Sequence, residues 1–335
     1  MTDTKGERRG KLSPAVAEVR SALAQFLDRH PIEIGGLVLV AVSGGADSLA
    51  LAAATRFMAA QRGFRVGSIV VDHGVQSGSA DIAERVAASL RALGLDPVEV
   101  VPVVVGTVGG PEAAARDARY AALRAAAKRL GADLVLTGHT RNDQAETVLL
   151  GLARGSGPGS IRGMSEFEDG IGRPLLDVTR GTTRAATIAE GLDPWDDPHN
   201  TDERFTRVRV RHSVLPVLES ELGPGIVDAL ARTASLVRDD DDALDLLAAG
   251  MAHQVLGDNP VSFAAADVAS RPRALRTRII RIAAKRAFGT TLTRVQTHAI
   301  DALLVDWHGQ GALDVTGGSV VRHDGRVVFT PASED

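Results

Sequence analysis

The sequence predicts an α/β protein: a Rossmann-like, doubly wound parallel sheet, followed by a smaller, mainly helical domain ending in a β-hairpin. Three observations carry this. Short Val/Leu/Ile runs alternate with longer amphipathic stretches, polar clusters stand directly after three of those runs, and Gly223-Pro224-Gly225 breaks the chain before a second helical region.

The elements follow in order. A helix and tail are expected over residues 1–30, ahead of the sheet. Residues 37–42, 66–71, 98–104 and 134–137 are nearly continuous apolar runs, as strands buried on both faces are. Residues 48–61, 81–93 and 111–130 separate them and are long enough for crossover helices, which makes the sheet parallel. Residues 182–190 and 205–219 read as helices. The domains are therefore placed at 31–222 and 226–335. Residues 312–330 alternate apolar and polar side chains around Gly317-Gly318 and Asp324-Gly325, the latter a hairpin signal.

Composition bounds the chemistry. The 335 residues suggest two domains at ~150 residues each. With 44% hydrophobic and 24% charged residues the chain is of the ordinary globular kind. No run approaches a membrane span, and Met1-Thr2-Asp3-Thr4-Lys5-Gly6-Glu7-Arg8-Arg9 lacks a signal-peptide core, so a cytoplasmic protein without membrane contact is expected. There are no cysteines, which excludes disulfides, thiolate metal sites, persulfide carriers and cysteine nucleophiles. The net charge of −4 does not by itself indicate a nucleic-acid partner.

Ser43-Gly44-Gly45-Ala46-Asp47-Ser48 joins the first strand to the following helix and reads as an anion cradle. Gly44 and Gly45 are free to adopt positive φ, and helix-start N–H groups point into the turn. A tight turn with a helix cap is the plainer alternative. Neither G-x-x-x-x-G-K-[ST] nor G-x-G-x-x-G is present. Asp72-His73 and Gly138-His139 also follow strands, so three polar clusters should meet at the carboxyl edge of the sheet, where such folds bind ligands.

His139, Asp143 and Glu146 are spaced i, i+4, i+7 at a strand-to-helix junction. The two acids share a helix face. Helix capping accounts for part of the pattern but not for His139; the carboxylates could hold Mg²⁺ through water or bind an amine. Glu112 and Arg116, followed by Arg119-Tyr120, would otherwise pass as a surface pair. The glycine-dense segment 154–160 reads as a mobile loop, and Asp239-Asp240-Asp241-Asp242 as a solvated helix face. Arg207 and Arg211 stand one helical turn apart. Arg271, Arg273, Arg276, Arg278, Arg281, Lys285 and Arg286 share one helical stretch with no acid among them, over a stripe of Leu275, Ile279 and Ile282. Such unopposed charge favours a polyanion.

Taken together, these stretches resemble the bacterial tRNA(Ile)-lysidine synthases, N-type ATP pyrophosphatases of the PP-loop superfamily. The likeness runs through the Ser-Gly-Gly-Ala-Asp-Ser loop, Val71-Asp72-His73-Gly74, Glu112 to Tyr120, Gly138-His139 with Asp143-Gln144-Ala145-Glu146-Thr147, Arg154-Gly155-Ser156-Gly157, Arg173-Pro174-Leu175-Leu176 and Asp197-Pro198-His199-Asn200, to Arg207 and Arg211. It covers about residues 35–220 and is loose beyond 225. The resemblance implies ATP, Mg²⁺, L-lysine and the isoleucine tRNA with anticodon CAU as substrates and partners. It implies adenylation of the wobble cytidine at its C2 oxygen, then displacement of AMP by the lysine ε-amine.

By the same resemblance, Ser43, Gly44, Gly45, Ala46, Asp47 and Ser48 hold pyrophosphate, Asp47 through the metal. Asp72 and His73 lie near the nucleoside of ATP, and Arg116 near the activated cytidine. His139, Asp143 and Glu146 form the reaction centre, the carboxylates binding the lysine ammonium. Arg207, Arg211, Arg276, Arg278 and Arg281 contact tRNA phosphates. Two positions depart from the family pattern: Gly74-Val75-Gln76 replaces Gly-Leu-Arg, and Asn142 replaces an acid. Other adenylating enzymes with this loop, amide-forming or tRNA-thiolating, and a non-catalytic ATP-binding module are the alternatives; missing cysteine counts against thiolation. Oligomeric state stays open, a homodimer being one option.

Overall fold

The structure is a computed structural model that describes every residue except 1–11, 73, 75–77, 105, 107–110, 156, 259–260 and 333–335, and the side chains of 111 and 112. It divides into two compact units, Met1–Ser235 and Leu236–Asp335.

In the first unit the order is α1 (Pro14–Arg29), β1 (Leu37–Ala41), α2 (Ala46–Arg62), β2 (Arg65–Asp72), α3 (Ser79–Ala92), β3 (Val98–Pro102), α4 (Pro111–Leu130), β4 (Leu134–Thr137) and α5 (Arg141–Arg154). Then come α6 (Pro158–Ile161), β5 (Phe167–Glu168), β6 (Ile171–Gly172), α7 (Arg180–Ala189), α8 (Thr206–Arg209), a π-helical segment (Val210–Val214) and α9 (Leu215–Leu222). The sheet order is β3-β2-β1-β4-β6-β5. All neighbours run parallel except the closing β5–β6 pair.

Alternation along β1 shows why its sequence is apolar throughout. Val38 and Val40 enter the core with α1, α2, α3 and α7, whereas Leu37 and Leu39 pack with Leu123 and Ala126 of α4 on the other face. The chain runs from β1 outward to β3, then returns to lay β4 on the other side of β1. That reversal opens a crevice beyond the carboxyl ends of β1 and β4.

The boundary between units falls inside α10 (Ile226–Val255). The second unit continues through β7 (Gly257–Asp258), β8 (Val261–Ala264), α11 (Ala265–Ala269), α12 (Arg273–Phe288), α13 (Arg294–Val305), β9 (Leu313–Val315), β10 (Gly318–His323) and β11 (Arg326–Pro331). The expected hairpin is β10–β11, turning at Asp324 (φ 48°) and Gly325 (φ 74°), the positive-φ pair of a tight hairpin. It belongs to a five-stranded antiparallel sheet, β7-β8-β11-β10-β9, rather than standing alone. Phe263, Phe329, Val320 and Val327 of that sheet bury against Ile279, Ile280 and Ile300 of the helices.

Candidate active site

The cradle is built by close backbone approach. Gly44 takes φ 87°, and its carbonyl accepts from the Trp195 N–H at 3.0 Å; Gly45, at φ −71°, leads into α2 and does not use the positive-φ freedom expected of it. Ser48 Oγ accepts from the Ser43 N–H at 3.3 Å and donates to the Gly45 carbonyl at 2.9 Å, which ties the loop to the first turn. The N-cap residue of α2 is Gly45, which brings no side-chain cap. Gly138, at the end of β4, explains itself here: a Cβ would stand 2.9 Å from the Asp47 backbone carbon and oxygen, so only glycine lets β4 and the loop touch.

At the start of α5, capping and ion pairing share one carboxylate. Asp143 Oδ2 accepts from the Thr140 N–H and Oγ1, both at 2.8 Å. Its Oδ1 accepts from Arg180 at 3.0 Å. Glu146, with no exposed surface, takes Arg207 Nε on Oε2 at 2.8 Å, Arg211 Nε on Oε1 at 2.8 Å and Arg180 on Oε1 at 3.1 Å. Arg180 also lies 3.7 Å from Asp47 Oδ2. Asp47, Asp143 and Glu146 thus face Arg180, Arg207 and Arg211 in one charge-balanced network. It joins the cradle to the α5 carboxylates.

The pKa directions follow from this arrangement. Burial would raise Asp143, but Arg180 and Arg207 hold it well below the usual carboxylate range. Burial likewise opposes the lowering of Glu146, which its bond from Arg211 and the nearby arginines achieve. Asp47 goes the other way: burial raises its pKa, and a hydrogen bond from Thr183 only partly offsets that. Burial pushes His139 down to about 3, against the pull of Asp143, so its ring is neutral; Nδ1 lies 2.9 Å from Thr137 Oγ1.

Arg180 is 3.7 Å from Asp47, farther than the arginines stand from Asp143 and Glu146, so among the three carboxylates Asp47 is the one fitted to meet a hard cation. Among the described residues no group of three or more His, Asp or Glu is arranged to hold a metal alone.

Arg207 and Arg211 differ from the sequence reading, which points them at RNA phosphates. Both guanidiniums fold onto Glu146, because a fully buried carboxylate requires cationic partners. The π-helical segment that follows α8 carries Arg211, and such segments recur at functional sites. Asp72 ends β2 and accepts from the Gly74 N–H at 2.9 Å; His73, Val75, Gln76 and Ser156 lie outside the described residues, as does the Glu112 side chain. Arg116 sits on α4 beside Tyr120.

In the second unit, the expectation of unopposed arginines needs correction. Arg276 is held by Asp301 of α13 at 2.7 Å, and Arg278 by Asp245 of α10 at 2.6 Å and by Asp241. Asp241 is accordingly buried rather than solvated. The acids come from neighbouring helices and are invisible within the α12 stretch. Arg281 is exposed, with a hydrogen bond to the Thr277 carbonyl of its own helix.

Sequence reasoning missed Arg180 and Thr183. The available signal was an arginine opening a helix whose first turn holds no acid, against the dipole preference. Asn142, the departure from the family pattern, accepts from the Arg180 N–H at 2.9 Å and so fixes that helix start.

The family models agree with this architecture. One described as a PP-loop domain matches residues 17–218, and one described as the TilS substrate binding domain matches residues 263–328. Three relatives are each called tRNA(Ile)-lysidine synthase. That of Leifsonia xyli subsp. xyli is 54% identical, covering 90% of this chain and 92% of its own. That of Thermobifida fusca is 54% identical, covering 95% and 98%, and that of Streptomyces coelicolor 51%, covering 93% and 97%. Among solved structures, the U34-tRNA thiolase NcsA of Methanococcus maripaludis, with its 4Fe-4S cluster, superposes at TM-score 0.57 over 67% of this chain and 80% of its own; at 16% identity the likeness is one of fold. On these matches, and on the cradle and carboxylate site above, the chain belongs to the tRNA(Ile)-lysidine synthase family of PP-loop enzymes.

Proposed function

We propose that the protein is an ATP-dependent ligase that joins L-lysine to C2 of the wobble cytidine of the isoleucine tRNA with anticodon CAU. The observation that supports this is the Arg180 bridge, which couples Asp47 of the cradle to Asp143 and Glu146, the carboxylates assigned here to the amine. The cytidine C2 oxygen attacks the α-phosphorus of ATP, pyrophosphate leaves, and the lysine ε-amine then displaces AMP, which carries away the former C2 oxygen.

Residues 43–48 receive the leaving pyrophosphate on the first-turn amides of α2. Mg²⁺ would be held by Asp47 and the phosphates, where it would neutralise charge on the leaving group. Asp72 and His73 are assigned to the nucleoside of ATP and Arg116 to the activated cytidine.

The carboxylates Asp143 and Glu146 receive the lysine ammonium in competition with their arginines. Free lysine, with a pKa near 10.4, is protonated at neutral pH. Crowded among Arg180, Arg207 and Arg211 its ammonium is pressed to lose a proton, and a carboxylate relieved of one guanidinium becomes the better acceptor. His139, held neutral and weakly basic, orients rather than abstracts. An arginine displaced from Glu146 becomes available to RNA phosphate, which gives Arg207 and Arg211 their place in tRNA binding; Arg281 is the exposed candidate on α12.

The test is pyrophosphate release with transcribed anticodon stem-loops. Release dependent on a wobble cytidine supports adenylation of that base; equal release with a wobble uridine would exclude it.

A further inference from the structure

Four guanidiniums surround one buried phenol. Arg116, Arg119 and Arg124 of α4, and Arg173 between β6 and α7, stand 4.8, 5.6, 5.9 and 5.9 Å from the centroid of the Tyr120 ring. Tyr120 is only 7% exposed. Arg124 has a counter-charge in Asp169 at 3.2 Å. Arg173, itself 3% exposed, donates to the Ser165 carbonyl at 2.7 Å and to the Tyr120 hydroxyl at 3.4 Å, with Glu168 at 3.7 Å; its Nε is buried with no acceptor. Among the described residues no hydrogen bond or ion pair reaches Arg116 or Arg119, which lie against the ring.

This contrasts with Arg180, Arg207 and Arg211, which carboxylates both orient and neutralise. An aromatic face attracts a guanidinium through its quadrupole and leaves the positive charge whole. The cluster adjoins the reaction centre: Arg119 and Arg173 both act to lower the His139 pKa, and Arg119 feels Asp143. Two guanidiniums that rest on a ring and on no described carboxylate, beside an arginine with one buried N–H unpaired, are built for an anion that arrives from outside.

We propose that Tyr120 is a positioning residue that holds Arg116 and Arg119, beside Arg173, for a phosphate group of the substrate. The proposal rests on the reading above for the two sources of that phosphate, the RNA strand and ATP.

Binding without turnover tests it, with two probes: an anticodon stem-loop RNA and ATP with Mg²⁺. Tyr120→Leu removes the ring. For RNA, the slope of log affinity against log salt should fall by roughly 0.7 for each phosphate the variant no longer neutralises. For ATP, affinity at low salt should fall about tenfold, the scale of one charge-assisted hydrogen bond. Whichever probe responds identifies the source. Tyr120→Phe keeps the ring and should keep the wild-type slope and affinity.

If Tyr120→Leu does not fold by circular dichroism, Arg116→Gln and Arg119→Gln carry the test and should each weaken the responding probe. A folded Tyr120→Leu, or both arginine variants, binding both probes as wild type would overturn the proposal. So would a Tyr120→Phe that loses as much as Tyr120→Leu. Failure of lysine transfer would count against the proposed reaction and leave these binding results standing.

Discussion

Arg180 donates to Asp143 at 3.0 Å while the same guanidinium lies 3.7 Å from Asp47, so one side chain spans the cradle and the α5 carboxylates. Removing it leaves Arg207 and Arg211 as the cations on Asp143 and Glu146. Arg180→Gln should lower unfolding stability by about 1 to 2 kcal/mol, less than for an isolated buried pair because two arginines remain. Urea denaturation measures this, and kcat/KM for lysine should fall with it.

His139 sets a pH dependence. Its folded pKa of about 3 lies below the ordinary value, so from about pH 6.5 downward the unfolded chain takes up a proton that the folded chain refuses. Stability is therefore full above that range and lost as pH falls toward 3, by up to ~1.4 kcal/mol per pH unit. Asp143 and Glu146, also lowered, act in the same direction but only below about pH 4. Between pH 4.5 and 6, His139→Gln should flatten the slope of stability against pH measured by urea denaturation.

Asp47 makes the opposite contribution, since burial raises its pKa. Asp47→Asn should leave thermal stability unchanged or slightly raised in the absence of nucleotide. The same variant should lose the gain in Tm that ATP with Mg²⁺ gives the wild type. A full nucleotide-dependent gain in the variant would remove the metal role assigned to Asp47.

Gly138→Ala inserts a Cβ where the Asp47 backbone stands 2.9 Å away. The loop must shift, at a cost of about 1 to 3 kcal/mol, typical of overpacking. ATP affinity should fall more than lysine affinity, which isothermal titration resolves.

Much of this was legible in the chain. The strands of the first sheet show as apolar runs because parallel strands bury both faces, and β2 and β4 end where Asp72 and Gly138 begin their polar clusters. The two-residue strands β5, β6 and β7 were not legible, since so short a segment has no period. The partners of charged side chains were the larger gap. Helical spacing shows that Arg207 and Arg211 share a face but not that Glu146 lies across from it. It shows α12 as basic but not that Asp301 and Asp241 pack against it.

The most direct measurement is the mass of the wobble nucleoside after incubation with ATP, Mg²⁺, lysine and the CAU isoleucine tRNA. A lysine-sized gain is expected with wild type, and none with Asp143→Asn, which should still bind the tRNA. An unmodified cytidine and unconsumed ATP with the wild-type protein would contradict the proposed reaction.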